Sequence, residues 1–114
     1  MPPSLKSLGQ ETTFADAGDL VRMTLQTHKT TKLRWMFEAQ YISEIPDDPT
    51  LAFESKTDLN GTLIQSLVIS DVSERHYGVY EVTSENEGCI ARVKFYIKHP
   101  AGRLIYLMFS YFGQ

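Results

Sequence analysis

Three histidines, one cysteine and a small group of carboxylates are the residues of this chain best suited to chemistry. Metal binding or acid–base catalysis would need them at a defined spacing, such as two histidines one helical turn apart. His28, His76 and His99 instead fall at a polar turn, a chain corner and a strand end, with no His-x-x-x-His pattern. Cys89 lacks a CxxC partner and follows Gly88, which reads as an ordinary free thiol rather than a nucleophile. Glu44, Asp47 and Asp48 surround Pro46 and Pro49. A calcium loop would need more oxygen ligands in a definite order, so these acids are read as a solvated turn. No glycine-rich phosphate loop is present. The expectation is therefore no catalytic residue, no metal, no cofactor and no small-molecule substrate.

One further motif could carry a modification. Asn60-Gly61-Thr62 fits the N-glycosylation acceptor pattern, which would place the chain outside the cell. The same residues suit a hairpin, because Asn-Gly tolerates the positive φ of two-residue loops and threonine favours strands. The expectation is a hairpin turn at these residues.

Composition bounds the rest. With 114 residues the chain is one domain's worth, and 42% hydrophobic against 22% charged residues places it among globular proteins rather than disordered ones. A net charge of −3 argues against a nucleic-acid partner, which would call for a clustered basic excess. Lys29, Lys32 and Arg34 form a small basic group, read as a solvated strand end. A single cysteine excludes a disulfide within the chain and points to a reducing compartment. The first six residues lack the apolar core of a secretory signal. No apolar run reaches the ~18–20 residues that span a bilayer.

The elements that would position these residues read as short strands. Leu5 and Leu8 follow a proline linker and suggest an edge strand; Phe14 closes a second short one before Gly18-Asp19. Val21, Met23 and Leu25 alternate with Arg22, Thr24 and Gln26. Leu33, Trp35, Phe37 and Ala39 alternate with Lys32, Arg34 and Glu38, and a strong loop signal follows at Pro46–Pro49. Leu51 to Lys56 forms another strand, and Asp58-Leu59-Asn60-Gly61 a hairpin turn. Beyond it Leu63, Gln65, Leu67 and Ile69 share a face. Glu85 to Gly88 reads as a turn, and Ala91, Val93, Phe95 and Ile97 share a face in the last strand. Period two with turns every ~8–12 residues predicts an all-β sandwich of two packed antiparallel sheets.

Within that pattern several motifs resemble I-set immunoglobulin domains over about Pro3 to Lys98. Residues 18–25 are similar to the family's strand B, with Leu25 where the first cysteine stands, and Trp35 is similar to the core tryptophan of strand C. Leu67 and Ile69 lie in a segment similar to strand E. Tyr80 resembles the corner tyrosine that opens strand F, and Val82, two residues on, holds the place of the second cysteine. His76 stands where the family usually has an aspartate, so its ion pair is not carried over. Two aliphatics at the cysteine positions make the chain similar to the disulfide-free modules of titin, twitchin and obscurin. In such modules the region around Trp35 packs on aliphatic side chains. A disulfide contributes about 2–4 kcal/mol, and each buried aliphatic about 1.5–3 kcal/mol, so the exchange is near neutral.

The resemblance implies a non-enzymatic module for protein contact or mechanical scaffolding in the cytoplasm, in sarcomere or cytoskeleton. The rival is an extracellular adhesion or receptor domain without its disulfide. The domain is expected over residues 1–100, with an apolar tail over 101–114. Leu104, Tyr106, Met108, Phe109 and Tyr111 make that tail a candidate partner contact. Three fates are open to it: packing on its own domain or a neighbouring module, self-association as an added strand, or opening a longer element, a membrane segment included.

Overall fold

Nine strands form two facing sheets in the computed structural model, which describes residues 4–86 and 89–101. In chain order they are β1 (Leu5–Leu8), β2 (Thr12–Phe14), β3 (Val21–His28), β4 (Lys32–Phe37), β5 (Gln40–Tyr41), β6 (Leu51–Thr57), β7 (Thr62–Ile69), β8 (Gly78–Asn86) and β9 (Cys89–Lys98). One sheet runs β1-β3-β7-β6 and the other β2-β9-β8-β4-β5. Pairing is antiparallel throughout except for β2, which lies parallel to β9. The orders correspond to ABED and GFC of an immunoglobulin sandwich, the second extended by β5 on one side and β2 on the other.

Alternation of side chains explains the core. Val21, Met23 and Leu25 from β3 and Leu67 and Ile69 from β7 meet Trp35, Tyr80, Val82, Phe95 and Ile97 of the facing sheet in one buried cluster. Arg22, Lys32, Arg34, Arg92 and Lys94, at the intervening positions, are exposed.

Three local expectations are corrected. Ala39 is not a strand residue: β4 ends at Phe37, and Glu38 (φ 47°) and Ala39 (φ 65°) form a two-residue turn into β5. Neither residue favours positive φ, and tertiary contacts hold the turn: Glu38 donates its backbone N–H to Val79 O at 3.0 Å, and its carboxylate accepts from Val79 N at 2.8 Å. The hairpin between β6 and β7 uses the four residues expected, 58–61, but only Gly61, and not Asn60, takes positive φ (87°). The Asp58 carboxylate sets that turn by accepting from the N–H groups of Asn60 and Thr62, both at 2.9 Å. Last, Glu85 and Asn86 are ladder residues paired with Ile90 and Cys89, so β8 runs further than the turn signal at Glu85 suggested.

Candidate interaction surface

The three histidines have separate partners. His28 closes β3 and bonds Thr30 Oγ1 through Nδ1 at 2.8 Å; the His99 ring lies edge-on to Tyr77 at 5.5 Å. No group of three or more His, Cys, Asp or Glu side chains that could hold a metal occurs among the described residues.

His76 does something else. It ends a 3-10 turn, Glu74–His76, and is 2% exposed. The Ser73 N–H donates to its Nδ1 at 2.9 Å, which leaves the ring proton on Nε2, facing Thr50 Oγ1 (2.9 Å) and Asp48 Oδ2 (3.3 Å). Arg75 reaches the same carboxylate with Nε at 2.9 Å and Nη2 at 3.1 Å, and the Thr50 hydroxyl donates to Asp48 Oδ1 at 2.6 Å. Asp48 is thus more than a solvated loop acid. The Arg75 guanidinium and the Thr50 donors hold its carboxyl well below the usual range, against the opposing effect of burial. The corner keeps an ion pair, with the acid supplied by the loop before β6 and the cation by the corner itself.

The corner in turn fixes Tyr80. Its hydroxyl donates to His76 O at 2.7 Å, four residues upstream, the geometry of a tyrosine corner. Burial foremost, with the Asp48 and Glu38 carboxylates adding to it, pushes the phenol above its ordinary range, so it remains a donor.

Of the residues singled out from sequence, Leu25, Leu67, Ile69 and Val82 are fully buried, Tyr80 is 1% exposed and Trp35 4%. Leu25 belongs to β3 and Val82 to β8, in opposite sheets but in the same cluster. Val82 pairs across the sheet with Trp35. The indole also has aromatic neighbours that the family pattern did not bring out: it stacks on Phe95 (6.0 Å, 6°) and meets Phe53 edge-on (5.6 Å, 62°). Its N–H donates to Gln65 Oε1 at 2.7 Å, and the Gln65 amide donates to Ser55 Oγ at 3.1 Å. Gln65 was the missed signal: a polar residue in the inward register of β7 calls for a buried donor to satisfy. Leu104, Tyr106, Met108, Phe109 and Tyr111 lie outside the described residues.

Where β4 and β5 diverge from β6 and β7, the sandwich opens into a groove of about 550 Å³. Leu33, Trp35, Phe53 and Leu63 line it together with Lys32, Tyr41 and Glu44. Tyr41 is 70% exposed, an aromatic of the kind enriched at protein interfaces. Beside the groove β6 pairs only with β7 among the described residues, and exposed Glu54 and Lys56 guard its free edge.

No family model and no curated protein matches the chain. Solved structures do. A chain of the Dpr2 Ig1-Ig2 complex with DIP-Theta Ig1-Ig3 is 16% identical, over 87% of this chain and 32% of that one, with a TM-score of 0.73. A chimeric titin Z1Z2 carrying an exogenous decorin peptide is 18% identical, over 86% and 94%, with a TM-score of 0.66. The N-terminal eight Ig domains of Down Syndrome Cell Adhesion Molecule give 17%, over 84% and 14%, with a TM-score of 0.67. The chain thus spans about a third or less of the Dpr2–DIP-Theta and Down Syndrome Cell Adhesion Molecule chains and nearly all of the titin one. Identities this low speak for fold, and with the strand order and the Tyr80 corner they make the chain an immunoglobulin-fold β-sandwich in which Leu25 and Val82 fill the cysteine positions.

Proposed function

We infer that the chain is a non-enzymatic module for protein–protein contact or mechanical scaffolding, one immunoglobulin unit of a muscle or cytoskeletal protein. The observation that carries this is the hydrocarbon filling of the core at Leu25 and Val82, both fully buried. A sandwich built this way needs no oxidising compartment. Titin domains among the similar structures support the setting. With the interior occupied, binding falls to surface features, and the groove beside β6 suits an extended segment of a partner or neighbouring module. The test is to tag the natural protein that carries the chain and image it in cultured muscle cells. Periodic placement along the contractile lattice is the expected result; entry into the secretory pathway would overturn it.

A second reading has its own observation. Asn60 is exposed in the β6–β7 turn, open to an Asn60-linked glycan on an extracellular adhesion or receptor domain. Mass analysis of the protein purified from its own tissue, before and after enzymatic deglycosylation, distinguishes the two settings. The apolar tail enters the proposal as a contact with a neighbouring module or a second copy. Truncation after Gly102 that turns a dimer into a well-folded monomer supports self-association, whereas a destabilised monomer supports packing on the same domain.

A further inference from the structure

Lys32 and Arg34 are joined on the outer face of the five-stranded sheet by a residue far away in sequence. Arg34 pairs with Thr83, and Thr83 with Arg92, so the two arginines flank a threonine in one row across β4, β8 and β9. At ~4.8 Å between strands, the arginine Cα atoms stand about 10 Å apart. Lys32, two residues from Arg34, opens the next row with Glu85 and Ile90. All three cations are exposed and line a shallow depression of about 450 Å³.

Two features set this patch apart from a solvated strand face. No ion pair engages Lys32, Arg34 or Arg92 among the described residues, whereas Lys94, the next outward cation on β9, lies 3.9 Å from Glu81. Cross-strand pairs favour opposite charges, and the position between the two arginines holds a hydroxyl in place of a carboxylate. The excess is also local, on a chain whose net charge is −3.

We propose that this face binds an extended acidic segment of a protein partner, with carboxylates at alternate positions. Every second side chain of an extended strand recurs at about 6.8 Å, the spacing that separates Lys32 from Arg34. Guanidinium groups take carboxylates in a two-pronged geometry, so Arg34 anchors a segment laid along β4 and Arg92, two strands away, approaches it from the far side of Thr83. The Thr83 hydroxyl adds a donor between them, and Ile90, 57% exposed, adds apolar contact at one end. Glu85 argues against a continuous polyanion such as nucleic acid or a sulfated glycan, whose closely spaced charges would be forced against it.

The site rests on the interaction-module reading, and its test is separate from the imaging experiment: failure here with normal placement in muscle leaves that reading standing. The labelled chain is titrated by NMR with a capped Glu-Val-Glu-Val-Glu peptide at low ionic strength, and in parallel with heparin. The peptide is expected to shift the amides of Arg34, Thr83 and Arg92 saturably, and to lose affinity as added salt shortens the Debye length. Arg34→Glu and Arg92→Glu each weaken binding about tenfold by turning attraction into repulsion. Both are exposed, so their melting temperatures should match the parent; Arg92→Gln, which only removes charge, should give a smaller loss. Shifts confined to the groove beside β6, affinity unchanged by both reversals, or tighter binding of heparin over the same residues would overturn the proposal.

Discussion

Asp48 does more than its place in a proline-flanked loop suggests. It takes a two-pronged contact from Arg75, a hydroxyl from Thr50 and the Nε2 side of the buried His76, and its own side chain is only 21% exposed. Its carboxyl titrates below the ordinary range when folded, and at about 3.9 when unfolded. The unfolded state therefore binds the proton first, and the stabilisation is present above that pH and lost as pH falls below about 4. Asp48→Asn should cost roughly 1–3 kcal/mol near neutral pH and flatten the acid limb of a stability-versus-pH curve. Asp47→Asn, the same charge change at an exposed neighbour, should leave both unchanged within about 0.5 kcal/mol. Urea unfolding across the acid range measures all of these. Gln65 gives a second test: Gln65→Leu suits the apolar face but strands the Trp35 N–H, so stability should fall by about 1–3 kcal/mol rather than rise.

At the scale of elements, turns separate what sequence pattern reveals from what it hides. The β6–β7 hairpin was legible because Asp58 and Gly61 bring their own local chemistry, although Asn60 does not take the positive φ that the Asn-Gly pair suggested. The Glu38-Ala39 turn was not legible. Its positive φ values are imposed by Val79 in a strand forty residues on, and no local propensity signals that. Two opposite outcomes follow. Ala39→Gly should stabilise the protein by about 0.5–1 kcal/mol, since glycine accepts that backbone without strain. Gly78→Ala should destabilise by more than about 2 kcal/mol, because φ there is 148° and an added Cβ would strike the Glu38 carboxylate and lie 2.9 Å from the Phe37 ring. Thermal melts of the two variants beside the parent should move in opposite directions.

For the whole molecule, the two sheets and their inward faces were readable because the alternation from Val21 to Leu25 and from Ala91 to Ile97 is uninterrupted. The corner was readable from Tyr80 only in company with the strand E-like segment before it and Val82 after it. Long-range register was not: nothing near Arg92 says that it will stand in line with Arg34, or that Asp48 will meet Arg75 and His76. Such contacts depend on how strands pair, which single-strand periodicity leaves open. What holds the layers together is hydrocarbon from both sheets, with Leu25 and Val82 among its fully buried members. The most direct measurement is to install the missing bridge. In a Cys89→Ser background, Leu25→Cys combined with Val82→Cys should oxidise to a single intramolecular disulfide, seen as the loss of two hydrogens and of both alkylatable thiols, with the fold retained. Two thiols that stay free under oxidant in a folded protein would mean that the side chains at 25 and 82 do not face each other, and the hydrocarbon substitute for the bridge would be wrong.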